Sequence, residues 1–215
     1  MSLTGELREV GDVAAAFADL VAERAPRSIA LSGGGTAEAA YAALATRKVD
    51  WSSTDVYIGD ERFVPVSDPD SNEGMIRRVL FADAQPRALH SMAEAGPTVE
   101  AAADAYDALI READPIGLVH LGLGPDGHTA SLFPGAATLD VTDRMVVSAG
   151  DELHPHPRLT FTFPAIARSR LVVFTVAGEE KRDAFARVRA GDAAMPAARV
   201  RADEVIWLVD PPALA

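Results

Sequence analysis

Cysteine is absent from the 215 residues. That removes disulfides, thiolate metal sites and a thiol nucleophile from consideration, and fits a reducing compartment. Lysine is nearly absent as well, with only Lys48 and Lys181, so the other cations are arginines. Positive charge as a whole is short: 20 Lys and Arg against 32 Asp and Glu leave a formal net charge of −12. Such a chain lacks the broad positive field that attracts phosphate backbones, so no nucleic-acid partner is expected. The same field repels an anionic small molecule at long range. Any anion site must therefore be local, built from backbone N–H groups and a few placed cations. Long apolar runs are missing too. Stretches such as Leu171 to Ala177 are strand-sized, far below the roughly 20 residues of a membrane helix. Met1 to Val10 carries Glu6, Arg8 and Glu9 and no apolar centre, so neither a signal peptide nor a membrane partner is expected, and a cytoplasmic location is. Internal repeats and low-complexity linkers are also lacking. Residues 1–215 read as one domain, long enough for a sizeable core.

What is present is an alternation of short β-like runs and longer helical stretches. Asp12 can cap a helix reaching about Ala25, with Val13, Phe17, Leu20 and Val21 on its apolar face. Ser28 to Leu31 reads as a buried strand, followed by a glycine turn and a helix to about Thr46. Strands are expected at Asp55 to Ile58, Ile116 to Leu121, Met145 to Ser148, Leu159 to Phe163, Leu171 to Val176 and Val205 to Val209. Helices are expected at Ser71 to Leu80, Thr98 to Glu112 and Glu179 to Ala190, and a loop at Ala149 to Pro157. This pattern predicts a single-domain, doubly wound α/β fold with a mainly parallel sheet and helices on both faces. Ligands of such sheets bind beyond the carboxyl ends of the strands.

Four stretches carry chemistry. Ser32-Gly33-Gly34-Gly35-Thr36 joins a strand to a helix. Its glycines let a ligand approach the main chain, the helix start offers free N–H groups, and Ser32 and Thr36 add hydroxyls. The loop lacks both the Walker ending and the dinucleotide spacing. It suits a phosphate monoester, or it is an ordinary tight turn. Gly59-Asp60-Glu61-Arg62-Phe63-Val64-Pro65, followed by Ser71-Asn72, sets three charges directly after a strand. These either form a solvated loop or line the cleft, where Arg62 would orient an anionic or carbonyl-bearing ligand and Asp60 would orient a partner or take a proton.

The third stretch is Gly122-Leu-Gly-Pro-Asp126-Gly-His128-Thr-Ala-Ser-Leu-Phe-Pro-Gly135. Asp126 and His128 flank a glycine, so a carboxylate can fix the imidazole tautomer and His128 becomes a candidate general base. His90, His120, His154 and His156 have no such setting and read as packed or surface residues. The fourth stretch is a pair of cations, Arg158 before a strand and Lys181 in Gly178-Glu-Glu-Lys181 at a helix start. A lysine there opposes the helix dipole unless an anion is bound; otherwise it pairs with Glu179 or Asp183. No zinc spacing such as His-Glu-x-x-His occurs, so no metal site is expected.

Together these four stretches, in this order from Ser28 to about Ala190, resemble the 6-phosphogluconolactonase family, in the superfamily of glucosamine-6-phosphate deaminase. The third is the most specific. The resemblance implies a deaminase-like α/β sheet, no organic cofactor, and a phosphorylated sugar lactone as the small-molecule partner of a monomer or small homo-oligomer. It implies that the sugar phosphate sits on Ser32, Gly33, Gly34, Gly35 and Thr36 with Arg158 and Lys181. It implies that His128 is the catalytic base beside Asp126. The activity would be hydrolysis of 6-phospho-D-glucono-1,5-lactone in the oxidative pentose phosphate pathway. The related deaminases resemble Asp-Gly-His-Ile-Ala-Phe with a glutamate shortly after. Here Asp126-Gly-His-Thr-Ala-Ser131 runs on to Leu-Phe-Pro-Gly, with no acid before Asp140, which argues against ring opening and deamination. A non-catalytic sugar-phosphate sensor would keep the glycine loop and Lys181 but need no base.

Overall fold

The computed structural model describes residues 3–150 and 155–215; His154 lies outside them. Among the described residues ten strands are formed: β1 (Glu6–Glu9), β2 (Ser28–Leu31), β3 (Asp55–Ile58), β4 (Asp60–Arg62), β5 (Ala88–His90), β6 (Leu118–Gly122), β7 (Val146–Ala149), β8 (Arg158–Phe161), β9 (Leu171–Val176) and β10 (Glu204–Val209). The α-helices are α1 (Val13–Arg24), α2 (Gly35–Ala45), α3 (Asn72–Val79), α4 (Val99–Glu112), α5 (Phe163–Ala167), α6 (Arg182–Arg189), α7 (Pro196–Arg199) and α8 (Pro211–Leu214).

Seven strands form one wholly parallel sheet in the order β1-β10-β9-β6-β2-β3-β5. The inner strands are mainly apolar, as a sheet covered on both faces requires; every residue of β9, Leu-Val-Val-Phe-Thr-Val, is buried. From β2 the chain builds outward through β3 and β5, then returns to the other side of β2 with β6 and continues through β9 and β10. The winding reverses between β2 and β6. A crevice opens at the carboxyl ends of two such strands because their connections leave in opposite directions.

Helix starts follow local chemistry. Asp12, Ser71 and Thr98 each accept a first-turn N–H through the side chain, at Ala15, Gly74 and Ala101 respectively. Helix α2 is different: its N-cap, Gly34, has φ +98 and no side chain to donate to or accept from. The first-turn N–H groups of α2 thus remain unanswered by any side-chain cap.

A second, antiparallel sheet, β4-β8-β7, stands beside the main one. It is the main departure from the sequence expectation, which treated Asp60 to Arg62 as a loop or a cleft edge. Strand β4 is three residues long and charged, so no apolar alternation marks it. Tertiary hydrogen bonding makes it a strand. Asp60 pairs with Thr160 and Arg62 with Arg158. Edge strands β1 and β5 were also not foreseen; each is short, and neither carries a buried apolar run. The expected helix from Glu179 begins as a 3-10 turn, Glu179–Lys181, and becomes α6 at Arg182.

Strand β4 is fastened to α3 by Glu61, whose side chain is fully buried. One carboxylate oxygen accepts the N–H groups of Arg62 and Asn72, both at 2.8 Å. The other accepts the Glu73 N–H at 2.7 Å and the Ser71 hydroxyl at 3.0 Å. The carboxylate caps α3 from a neighbouring strand and meets the positive end of its dipole. In Glu61→Gln an amide NH₂ must face two donors. The expected outcome is a loss of about 1–3 kcal/mol in urea unfolding with an unchanged m-value.

Candidate active site

Every residue put forward for the site except Asp126 lines one cleft of about 190 Å³ at the carboxyl ends of β2 and β6. Its floor is Ser32, Gly33, Gly34, Gly35 and Thr36, continuing into α2. Gly122, Leu123, Gly124, Pro125 and His128 form a second wall, and Asp60, Arg62 and Arg158 a third. Lys181 completes the rim with its side chain 18% exposed, 4.0 Å from Glu180. The small sheet explains the last group. Pairing of β4 with β8 sets Arg62 directly opposite Arg158, two cations remote in sequence.

His128 and Asp126 meet as their spacing predicts. Imidazole Nδ1 lies 2.6 Å from Asp126 Oδ1, and the same oxygen accepts the His128 backbone N–H at 3.1 Å. Burial alone would raise the Asp126 carboxyl. The His128 amide and the imidazole outweigh it and hold the group below its ordinary value. With Nδ1 engaged, Nε2 is the nitrogen left for a ligand or water. Gly124 permits this pairing: a Cβ there would sit 2.1 Å from His128 Nδ1. The Phe133 ring packs against the imidazole at 5.0 Å between centroids, and the Arg158 guanidinium lies 5.7 Å over the same ring. Between them Ala130 holds a left-handed φ of 48 in the tight turn that bridges Thr129 and Leu132. Strain of this kind is commonly found at functional sites.

Asp60 is the only carboxylate among the described residues lining the cleft, and it is 5% exposed. Burial pushes its carboxyl up, opposed by the Ser131 hydroxyl, Arg62 and Arg158. Ser131 donates to Asp60 Oδ2 at 2.9 Å, and Arg158 Nη1 reaches Ser131 Oγ at 3.5 Å. Arg62 Nη1 donates to the Asp70 carbonyl at 2.6 Å. The Nε atoms of both arginines are buried without a hydrogen-bond partner. Burial and the neighbouring Arg62 push the Arg158 guanidinium down from its ordinary value, while Asp60 resists. The cleft is thus positive, preorganised and incompletely satisfied, as an anion site should be.

One expected contributor has another duty. The Ser32 hydroxyl donates inward to the His120 carbonyl at 2.7 Å, so its hydrogen is not offered to a ligand. The remaining described histidines stay off the cleft: His120 is fully buried, His90 stacks on Tyr57, and His156 lies 3.0 Å from Asp70. Asn72 and Ser131 were named within the chemistry-bearing stretches but given no role, and Thr175 was not singled out. Asn72 lines the cleft and donates to the Asp60 carbonyl at 2.7 Å. Thr175 lines it from the end of β9. For Ser131 and Asn72 a signal existed, since both sit inside or beside the charged and glycine-rich stretches. Thr175, in an apolar strand, offered none beyond being polar.

The chain was compared with known proteins. A family model described as glucosamine-6-phosphate isomerases/6-phosphogluconolactonase matches residues 7–207. A 6-phosphogluconolactonase of Synechocystis is 39% identical over 204 residues, covering 88% of this chain and 84% of that protein. One of Mycobacterium leprae is 38% identical over 222 residues, covering 94% and 90%. The crystal structure of 6-phosphogluconolactonase from Thermotoga maritima superposes with a TM-score of 0.82 at 29% identity, covering 95% of this chain and 99% of that one. The match spans both sheets and all four cleft-forming stretches, and the chain belongs to the glucosamine-6-phosphate isomerase/6-phosphogluconolactonase family.

Proposed function

We propose that this chain, read as one domain, is a 6-phosphogluconolactonase that hydrolyses 6-phospho-D-glucono-1,5-lactone to 6-phosphogluconate in the oxidative pentose phosphate pathway. The curated relatives carry that name over most of their length. The observation that carries the reading at the level of chemistry is the Asp126–His128 pair at 2.6 Å on the wall of a cationic cleft. A phosphate monoester fits the uncapped start of α2 with Lys181 and Arg158 around it. That leaves the lactone carbonyl toward His128 and Arg62.

In the reading we favour, His128 Nε2 takes a proton from a water as the water oxygen bonds to the lactone carbonyl carbon. The developing oxyanion is met by Arg62 or by N–H groups of the glycine-rich wall. The tetrahedral centre collapses, the bond from carbon to ring oxygen breaks, and protonated His128 returns its proton to that oxygen. Asp126 holds the tautomer and stabilises the imidazolium. Asp60 steadies Arg158 through Ser131, while Arg62 is held by the Asp70 carbonyl. A lactone is an activated ester, so neither a covalent nucleophile nor a metal is needed. The deaminase reading wants a further carboxylate. The first acid after His128, Asp140, lines a different pocket beyond Phe133 and Leu139. A sensor would have no use for the Asp126–His128 pair. No helix among the described residues is long and apolar enough to cross a membrane. The net charge of −12 argues against a nucleic-acid partner and leaves a small anion to be held by the cations of the cleft.

Lactone turnover, assayed beside glucosamine-6-phosphate deamination, tests the reading; activity in the second assay alone would overturn it. His128→Asn is expected to fold, to retain binding of 6-phosphogluconate and to lose about 10²–10⁴-fold in kcat after subtraction of spontaneous hydrolysis. A wild-type kcat would move the base elsewhere, with Asp60 next in line. Lys181→Ala removes a contact far from the reacting carbonyl. It is expected to raise KM about tenfold or more with kcat little changed; a collapsed kcat at constant KM would refute a phosphate-binding role.

A further inference from the structure

Beneath the phosphate loop lies a closed group of buried polar side chains that the mechanism above does not use. Tyr41, on the second turn of α2, is fully buried. Its phenol oxygen accepts the Ser32 N–H at 2.8 Å, lies 3.0 Å from the Ser32 carbonyl and 2.8 Å from His120 Nδ1. His120, on β6, is also fully buried, its ring tilted against Phe17 at 4.1 Å between centroids, with Nε2 2.9 Å from the Thr175 hydroxyl on β9. The Ser32 hydroxyl donates to the His120 carbonyl.

A hydroxyl has one hydrogen and two lone pairs. All three contacts of the Tyr41 oxygen coexist in one arrangement only: it accepts from Ser32 N–H and from His120 Nδ1–H, and donates to the Ser32 carbonyl. His120 then carries a proton on Nδ1; with burial keeping the ring neutral, its bare Nε2 accepts the Thr175 hydroxyl hydrogen. Every polar atom of the group is satisfied. Burial agrees with both protonation states, raising the Tyr41 phenol and pushing His120 down to about 3.

We propose that Tyr41 and His120 are positioning residues that hold the phosphate loop in its binding shape, an inference resting on the phosphate-site reading above. Ser32 directly precedes Gly33, Gly34 and Gly35, three consecutive residues without a side chain to restrict the backbone. Tyr41 grips both backbone groups of Ser32 from the helix on the far side of that run, so the two ends of the loop are tied across it. His120 carries the tie to β6 and, through Thr175, to β9. A loop ordered beforehand does not lose conformational freedom when the ligand arrives, and that difference appears in affinity. The reacting carbonyl lies at the other wall, so the chemical step is not expected to depend on the tie.

The test is Tyr41→Phe, with inorganic phosphate as a competitive inhibitor of lactone turnover and Lys181→Ala alongside. Tyr41→Phe is expected to raise both KM and the phosphate inhibition constant about tenfold, with kcat within about twofold. Nitrogen-15 NMR of the wild-type protein is expected to show His120 protonated at Nδ1, bare at Nε2, and neutral at pH 5. If Tyr41→Phe does not fold, Thr175→Val is read instead, with a rise of about threefold expected in the same two constants. A folded variant with wild-type KM and phosphate constant overturns the proposal, as does a fall in kcat at constant KM or a proton found on Nε2. If Lys181→Ala also leaves phosphate binding unchanged, the phosphate-site reading itself fails and takes this inference with it. If only Lys181→Ala weakens binding, the site stands and the positioning role falls.

Discussion

Like charges that face each other in a half-buried cleft must be held there by the structure around them. Arg62 and Arg158 are brought face to face by the β4–β8 pairing, partly out of water, with both Nε atoms unpaired. Like charges in such a place repel and resist burial. Asp60 makes the arrangement tenable: a buried carboxyl group that both arginines influence, fixed by Ser131. Much of the surrounding structure serves that one balance. Asn72 holds the backbone of Asp60, and Glu61 anchors the next residue to α3. The acidic chain as a whole repels anions at a distance, and this local excess of positive charge reverses the sign where it matters.

The parallel sheet contributes position. Reversal of the winding between β2 and β6 leaves a crevice flanked by two glycine-rich connections, one ending in an uncapped helix and the other in the Asp126–His128 pair. The small antiparallel sheet then closes the third side. Each wall comes from a different part of the chain, so the cleft exists only when both sheets are in place.

How much of this was legible in advance depended on how local the signal was. Asp12 and Thr98 announced their helices because a cap acts within three residues. Strand β9 announced itself by an apolar run broken only by Thr175. His128 stood out because its partner is two residues away. Strand β4 did not, since its three charged residues become a strand only by pairing with a segment roughly a hundred positions later. His120 was read as a packed residue and is fully buried, yet its tie to Tyr41 and Thr175 spans three elements and leaves no mark in any short window. Local chemistry can be read from neighbouring residues; a contact made by topology cannot.

Strand β1 has a single neighbour in the sheet, β10, and the two are joined in register from Glu6 with Ile206 to Glu9 with Val209. During synthesis Glu6–Glu9 leaves the ribosome long before anything it can pair with. Closing a loop of that length is entropically unfavourable, and pairings of this range slow the search for the native state. Until β10 emerges, the edge of β9 is open and β1 is an unpaired extended segment bearing Glu6, Arg8 and Glu9. Those charges suit the waiting period: they keep a stray edge strand from joining the wrong chain. The sheet is thus completed at one border by the earliest and latest of its strands to be made, and the nascent protein carries its own deterrent to aggregation until then.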